Sequence, residues 1–374
     1  MSTVPPLTTS SASTSSSTST TDAESLRRNR ILSSKLYFDV PLSKVPLIYA
    51  PSYDIAFLGI EKLIIIVVLP HCFHVQTIHL LLLVAPLTQF LISDGIVGKN
   101  HFVEPMEAST DDLLVVHPES YLKSLKSSLN VSIIVEVPPV ALLPNCLVQK
   151  KVLYPFRKQV GGTILAAKLA KERGWAINVG GGFHHCSHEK GGGFCAYADI
   201  SLCIHYAFVR LNISRVMIID LDAHQGNGHE MDFSDDRRVY ILDMYNPGIY
   251  PFDFEARRYI DQKVEVRSGM TTNEYLQKLD EALEVAEHMF DPELVVYNAG
   301  TDILDGDPLG RLKISPDGVS SRDERVFRFC REKNIPIVML TSGGYMKSSA
   351  RVIADSIVNL SKKCLIDTGS SAKV

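Results

Sequence analysis

Five short apolar runs in this chain each stop abruptly at polar residues or glycines. The runs are Trp175 to Val179, Val216 to Ile219, Val239 to Leu242, Leu294 to Tyr297 and Ile335 to Leu340. Helical stretches, notably Asn273 to Met289 and Ser320 to Lys333, separate several of them. Alternating strands and helices predict an α/β fold with a parallel sheet flanked by helices. In such sheets the site lies beyond the carboxyl ends of the strands, so the ends of the five runs should meet at one edge.

The second run leads directly into two acidic residues and a histidine. Alternate side chains of an extended chain share a face, so Asp220, Asp222 and His224 should project together. Carboxylates combined with an imidazole suit a divalent metal of intermediate softness, zinc above all. An EF-hand calcium loop is excluded, because its sixth position would be Gln225 rather than Gly and its twelfth Met231 rather than Glu.

Asp302 follows the fourth run and supplies a third candidate ligand. Together with Asp222 and His224 it makes a set that leaves one coordination position open, as catalytic zinc sites do. The alternative is that Asp302 only caps a turn, where Asp is common.

Two histidines and a tyrosine follow glycines at other run ends. Adjacent His184 and His185 suit a water activator and a leaving-group acid, with Asp220 and Asn227 as their hydrogen-bond partners. Tyr345 could stabilise an oxyanion with its hydroxyl. The alternatives are two histidines hydrogen-bonded in a turn and an ordinary turn tyrosine.

Composition limits the class of protein. The 374 residues are 45% hydrophobic and 21% charged, which is typical of a globular chain with a substantial core. A net charge of −4 without a basic stripe predicts no direct nucleic-acid binding. Seven cysteines without a CxxC pair favour reduced thiols in an intracellular compartment.

The ends of the chain differ in amino-acid composition from its middle. Residues 1–35 are rich in Ser and Thr and predict a disordered tail. An organellar transit peptide is the alternative, since arginines follow the Ser-rich start. We expect one globular domain over 45–362 and a flexible tail over 363–374. Inside the domain, Leu113 to Val116 predicts a further short strand.

The run from Leu63 to Ser93 contains no Asp, Glu, Lys or Arg. It is long enough to cross a bilayer, but prolines, histidines and glutamines interrupt it, so a membrane span over 63–91 is disfavoured. A splice variant, a mistaken gene model or a rim loop of unusual composition are the other interpretations.

Taken together, these motifs resemble the zinc-dependent histone deacetylases. The segments that carry the likeness are Gly181 to Cys186, Gly191 to Asp199, Asp220 to His229, Asn298 to Gly306 and Thr341 to Tyr345. Two further segments, Tyr297 to Leu304 and Asp243 to Asn246, are most similar to class IV, and the Ser/Thr-rich head is similar to the plant members. The likeness covers about Val45 to Leu63 and most of Asp94 to Leu360.

The resemblance implies an arginase/deacetylase-like fold in a single catalytic domain. It implies hydrolysis of N6-acetyl-lysine on histones or other proteins, a role in transcription regulation, and corepressor-type partners in the nucleus or cytoplasm. It also implies one zinc ion per chain and a structural potassium ion near Asp220, Asp222, His224 and Asp243.

The resemblance also assigns residue roles. The zinc ligands would be Asp222, His224 and Asp302. The acid/base pair would be His184, backed by Asp220, and His185, backed by Asn227. The acyl carbonyl would be polarised by Tyr345. The narrow channel for the lysine stem would be lined by Gly193, Phe194 and Tyr250.

One segment departs from the family pattern. After Glu61-Lys62-Leu63 the family continues with His-Pro-Phe-Asp at the channel rim, and here the uncharged run replaces it. Two alternatives to a lysine deacetylase therefore stay open: a hydrolase of long-chain fatty-acyl-lysine or acyl-polyamines, and a catalytically impaired scaffold. A dinuclear arginase-like hydrolase is disfavoured, because a second metal needs more carboxylates than this edge offers.

Overall fold

A computed structural model describes residues 16–54 and 84–369 of the chain. Residues 1–15, residues 55–83, which include most of the uncharged run, and residues 370–374 lie outside the described residues. Predictions that fall there therefore stay predictions, and most of the disfavoured membrane span over 63–91 is among them. Within the described ranges, no helix combines the length and the apolar character needed to cross a membrane.

One parallel sheet of seven strands runs through the described chain, which confirms the predicted fold class. The strands are β1 Leu47–Ile48, β2 Trp175–Asn178, β3 Val216–Asp220, β4 Val239–Tyr245, β5 Gln262–Glu265, β6 Leu294–Asn298 and β7 Ile337–Leu340. Their order across the sheet is β1-β2-β7-β6-β3-β4-β5. Strand β3 therefore lies between β6 and β4, at the centre of the candidate site.

The register aligns the carboxyl ends of the central strands. Asp220 pairs with Asp243 on one side and with Asn298 on the other. Asn298 pairs in turn with Leu340, and Leu340 pairs with Asn178. This alignment of the strand ends explains why polar side chains that are far apart in sequence meet at one edge of the sheet.

Helices cover both faces of the sheet. They are α1 Ser16–Ser33, α2 Val84–Ser93, α3 Thr110–Leu113, α4 Glu119–Ser124, α5 Ser128–Ile134, α6 Asn145–Val148, α7 Tyr154–Arg173, α8 Asp199–Arg210, α9 Asn227–Asp232, α10 Thr272–Met289, α11 Pro316–Glu332 and α12 Ser349–Lys362. Short 3-10 turns span Pro51–Tyr53, Pro138–Leu142 and Ala256–Tyr259, and a π-helical turn spans Gln149–Leu153.

Alternation along the strands divides the core into layers. Met217 and Ile219 of β3 pack in the layer that contains α2, α10, α11 and α12. Val216 and Ile218 point the other way, into the layer of α7 and α8. Both faces of the sheet are buried, which is why the strands read as continuous apolar runs.

The predicted strand over Leu113 to Val116 is wrong. Ser109 begins helix α3 with a capping box: its hydroxyl accepts from the Asp112 backbone N–H at 3.2 Å. In return, the Asp112 carboxylate accepts from the Ser109 backbone N–H at 2.7 Å. These bonds satisfy backbone donors that a helix start leaves open, so the capping box outweighs the β-propensity of the valines.

The N-terminal region differs from the predicted disordered tail, since α1 covers Ser16–Ser33. Ile31 is fully buried, and the Arg210 guanidinium donates to its carbonyl at 3.2 Å. Arg30 likewise donates to the Leu114 carbonyl at 3.1 Å. The folded region therefore begins before residue 45. At the other end, Leu365 and Ile366 are buried in the core, so the flexible tail predicted from residue 363 is wrong at these two positions.

We predict that Ile31→Ala lowers the free energy of unfolding by about 2 to 5 kcal/mol, because it removes a fully buried side chain and leaves a cavity. Denaturant unfolding of the full chain measures the change. The neighbouring Leu32 is 49% exposed, so Leu32→Ala is a matched control that should change the value by less than about 0.5 kcal/mol. Equal effects of the two substitutions would show that α1 does not pack as described.

Candidate functional site

Asp220, the last residue of β3, is fully buried and is held by donors on both oxygens. Oδ2 lies 2.9 Å from His184 Nδ1 and 2.8 Å from His229 Nε2. Oδ1 accepts from the Asn298 side-chain amide at 3.0 Å and from the Asp222 backbone N–H at 3.2 Å. Four donors thus stabilise its charged form, and the pKa of Asp220 lies well below its usual range although burial acts against this.

The side chains of Asp222, His224 and Asp302 lie close together just beyond the carboxyl ends of β3 and β6. Their ligand atoms all lie within 4.8 Å of one another, and all three side chains are buried. His224 Nδ1 lies 2.7 Å from Asp302 Oδ2 and 3.1 Å from Asp222 Oδ1. Burial acts against a charged imidazole, but these two carboxylates raise the pKa of His224 to about 10.

This donor set fits a zinc ion. Two buried carboxylates share the proton on one imidazole nitrogen, and metal binding at such a set displaces that proton. In the described ranges no Lys or Arg forms an ion pair with Asp222 or Asp302, so a cation would supply the missing positive charge. Burial and the Asp222 carboxylate raise the pKa of Asp302 to about 7, which shows how poorly the protein alone accommodates this second negative charge.

Two glycines let the backbone approach the ligand set. A Cβ on Gly343, whose φ is +55°, would lie 2.5 Å from Asp222 Oδ2. A Cβ on Gly300 would overlap the same carboxylate. The sequence analysis noted the Gly343-Gly344 turn for the position of Tyr345, and the structure shows that the first of these glycines also makes room for Asp222.

His184 and His185 are adjacent but have opposite electrostatic environments. Burial opposes the charge on His184, yet the Asp220 and Asp222 carboxylates raise its pKa to about 9. Burial and then the neighbouring His184 and His224 lower the pKa of His185 well below its usual value. His185 Nδ1 lies 2.9 Å from Asn227 Oδ1, and this amide oxygen can only accept. The imidazole of His185 therefore carries its hydrogen on Nδ1 and leaves Nε2 as an acceptor.

Tyr345 follows the Gly343-Gly344 turn and packs against the ligand set. Its ring centroid lies 6.3 Å from that of His224 and 6.0 Å from that of Phe194. The Tyr345 backbone N–H donates to Asp307 Oδ2 at 2.8 Å, which fixes the start of the side chain. Burial raises the pKa of the phenol well above its usual value, so it stays protonated and can donate.

Two cavities flank these groups, and their walls share His185, Gly193, Phe194 and Tyr345. The outer one, called here the mouth, has a volume of about 230 Å³ and its walls include Gly193, Phe194 and Tyr250. The Tyr250 ring stands at 84° to the His185 ring with centroids 4.8 Å apart. The second, called here the inner cavity, has a volume of about 70 Å³ and is lined in part by Asp222, by Phe156 and by residues 180–183.

The region of the predicted potassium site contains Asp243, which is fully buried. Its Oδ2 accepts from the Gly226 backbone N–H at 2.8 Å, and burial together with Asp220 and Glu230 raises its pKa well above the usual value. The second group of metal-ligating atoms in the described ranges is His184, Asp220 and His229, without Asp243. The potassium ion stays a prediction.

Several residues that form hydrogen bonds to the site residues were not predicted from the sequence. His229 holds Asp220, Asp307 holds Tyr345, and Asp253 accepts from the Asn227 side-chain amide at 3.1 Å. Asp199 accepts from the backbone N–H groups of Gly182 and Phe183, the turn before the histidine pair. Spacing gave no signal for Asp199, Asp253 or Asp307, because none of them follows an apolar run.

Comparisons with known proteins show the family and the fold of this chain. A family model described as "Histone deacetylase domain" matches residues 82–361. Histone deacetylase 2 of Arabidopsis thaliana is 72% identical over 348 residues, which are 93% of this chain and 87% of that protein. Histone deacetylase 8 of Xenopus tropicalis is 28% identical over 265 residues, 67% of this chain and 70% of that protein. The crystal structure of a histone deacetylase homologue from Aquifex aeolicus has a TM-score of 0.60 at 21% identity and covers 74% of this chain and 76% of its own, so it supports the fold.

We predict that Gly343→Ala lowers the zinc content of the purified protein, because its Cβ would displace the Asp222 carboxylate. Gly269→Ala is the matched control: its φ is +78°, but nothing lies within 4 Å of its added Cβ. Both substitutions should destabilise the fold by about 1 to 2 kcal/mol through the left-handed backbone, and only Gly343→Ala should lose zinc. Elemental analysis measures the metal, and equal zinc in both variants would contradict the prediction.

Proposed function

The chain belongs to the histone deacetylase family, and we propose that it hydrolyses N6-acetyl-lysine on histones or other proteins and releases acetate. One observation carries the proposal: Asp222, the His184–His185 pair and Tyr345 line one cavity, and Asp222 forms a buried group of ligand atoms with His224 and Asp302. Acyl-amide hydrolysis needs an activated water, a stabilised oxyanion and a proton for the leaving amine. This arrangement offers a group for each.

Asp222, His224 and Asp302 would hold one zinc ion, which when bound acts as a Lewis acid on the acyl oxygen and on water. The potassium ion expected near Asp220 and Asp243 is part of the same proposal. No further metal is proposed, since the second group of ligand atoms in the described ranges shares His184 with the acid/base pair.

His185 is the proposed proton acceptor. Its lowered pKa keeps the imidazole neutral near pH 7, and its hydrogen bond to Asn227 leaves Nε2 available to take a proton from the attacking water. His184 is the proposed proton donor. Its raised pKa keeps both ring nitrogens protonated, so Nε2–H can supply the proton that the departing lysine amine needs. Two adjacent imidazoles with opposite environments thus divide the two proton transfers.

Tyr345 is the proposed donor to the acyl oxygen. Its protonated phenol packs on His224, beside the ligand set, and its backbone is fixed by Asp307. A donor fixed in advance stabilises the oxyanion without reorganisation during the reaction.

The walls of the mouth would hold the substrate's lysine stem. Gly193 lies so close to His185 that an added Cβ would be 2.5 Å from its ring, and Phe194 and Tyr250 supply apolar surface beside it. A methylene chain fits such a channel, with the acyl amide at the ligand set and the peptide backbone outside.

A second candidate function, hydrolysis of long-chain fatty-acyl-lysine or acyl-polyamines, is favoured by the apolar lining of the inner cavity. Phe156, Phe183 and Tyr53 line it together with Asp222 of the ligand set, so apolar surface lies beside the proposed reaction site. A catalytically impaired scaffold is the third candidate, because the sequence of the segment over residues 63–93 departs from the family pattern.

The finer classification belongs to the same proposal. The Tyr297 to Leu304 motif supports membership of class IV, and family membership supports a location in the nucleus or cytoplasm, with histone tails as substrates and corepressor-type proteins as partners. Organellar targeting by the Ser/Thr-rich head is the alternative to that location.

We predict that the purified full chain releases acetate from an acetyl-lysine peptide, that a chelator abolishes this activity, and that added zinc restores it. His185→Ala should lower kcat/KM by about 10²- to 10⁴-fold, because it removes the proton acceptor. A myristoyl-lysine peptide assayed in parallel distinguishes the two hydrolase candidates.

His188→Ala is the matched control for the histidine substitution. This side chain is 48% exposed and bonds to Asp232 rather than to the ligand set, so activity should persist. A folded, zinc-loaded protein that is inactive on both peptides would refute the hydrolase and favour the scaffold.

We predict that Tyr345→Phe lowers kcat by about 10²- to 10³-fold with little change in KM or zinc content, because the phenol acts on the oxyanion. Steady-state kinetics with elemental analysis tests this. Tyr240→Phe is the control: Tyr240 is also buried, but its hydroxyl donates to Gln262 at 3.1 Å, away from the site. A Tyr345→Phe variant with unchanged kcat would remove the phenol from the mechanism.

A further inference from the structure

Arg311 is an exposed cation at the mouth. It is the one Lys or Arg among the described residues that line this cavity, and Glu136 is the one Asp or Glu. The other ionisable groups on the wall are His185, His224 and the phenols of Tyr250 and Tyr345, which belong to the proposed site. The wall of the mouth therefore carries one basic side chain, Arg311, and one acidic side chain, Glu136.

The Arg311 guanidinium has no hydrogen bond or ion pair among the described residues. The neighbouring acid, Asp307, is engaged elsewhere: it accepts from the backbone N–H groups of Leu309, Gly310 and Tyr345 at 2.8 to 3.1 Å. Burial is the main cause that raises the pKa of the Tyr250 phenol, and the Cys195 thiol and the Glu136 carboxylate add to it. The positive charge of Arg311 is thus left for a ligand.

The backbone beneath Arg311 is held in an uncommon conformation. Its φ is +59°, in the left-handed region that disfavours side chains such as arginine. Its carbonyl accepts from the Gly269 N–H at 2.8 Å, and the preceding Gly310 packs so closely on the Asp302 backbone that a Cβ would overlap it. A strained residue fixed next to a proposed zinc ligand is typical of a functional position.

We propose that Arg311 is a specificity-determining residue that binds a carboxylate on the substrate, supplied by an Asp or Glu within two residues of the acyl-lysine. Two extended residues span about 7 Å, which a flexible arginine side chain at the rim can bridge. Its planar guanidinium matches a carboxylate through two parallel hydrogen bonds. This inference rests on the proposed function, since it assumes that the lysine stem enters the mouth.

The test compares two acetyl-lysine peptides that differ only by Glu or Gln next to the acetyl-lysine. At low salt the full chain should show a kcat/KM about two- to fivefold higher for the Glu peptide, as expected for an exposed ion pair. The preference should shrink as salt rises, because ions screen exposed charges. A third peptide, with phosphoserine at that position, shows whether a phosphate serves as well as a carboxylate.

Three variants test whether Arg311 causes the preference for the Glu peptide. Arg311→Gln should remove the preference while activity on the Gln peptide persists, and Arg311→Lys should retain part of it. Arg325→Gln removes the same charge from an arginine that pairs with Asp280 at 2.7 Å, and should leave the preference unchanged. Equal kcat/KM for the Glu and Gln peptides in the unmodified chain, or a preference that survives in Arg311→Gln, would overturn the inference.

A binding measurement separates this inference from the proposed function. If no peptide is hydrolysed, the proposed function fails, and fluorescence anisotropy of labelled Glu and Gln peptides at low salt then decides the role of Arg311. Tighter binding of the Glu peptide that is lost in Arg311→Gln would support the carboxylate site. Equal Kd values, or no binding of either peptide, would overturn it.

Discussion

The burial of carboxylates at the aligned ends of β3 and β6 is the constraint on which the site depends. Asp220, Asp222 and Asp302 are at most 2% exposed, and in the described ranges their ionic partners are histidines rather than Lys or Arg. A buried charge without compensation is strongly unfavourable. Backbone N–H groups, imidazoles and, in our proposal, a zinc ion supply that compensation. The groups that stabilise the buried carboxylate charges at this edge of the sheet are therefore the same groups that the proposed chemistry uses.

This constraint also explains the neighbours of the carboxylates. Gly300 and Gly343 leave the space that the Asp222 carboxylate fills. The two adjacent histidines differ because His184 faces two carboxylates, whereas His185 faces an amide and two other imidazoles. Distance from the negative charges therefore sets which imidazole holds a proton and which accepts one.

Sequence reasoning succeeded where a residue's position follows from its own strand. Asp222 and His224 follow β3 two residues apart, and they were predicted to lie together and do so, whereas Asp220 lies in the separate group with His184 and His229. It failed where a local device outweighed propensity, as with the capping box of Ser109, or where the contact is distant. Ile31 is buried against a surface that includes Arg210, which lies 176 to 179 residues from its hydrogen-bond partners in α1 and the following turn.

The sequence by itself determined that a parallel α/β sheet forms and which residues stand at its strand ends, because burial patterns and turns are local properties of the chain. Only the tertiary structure decided the order β7-β6-β3-β4, which brings Asp302 beside Asp222 and His224. It alone also decided that Arg311 reaches the mouth and that α1 joins the core. These features depend on which surfaces pack together, and the free energy of that packing is shared among residues far apart in the chain.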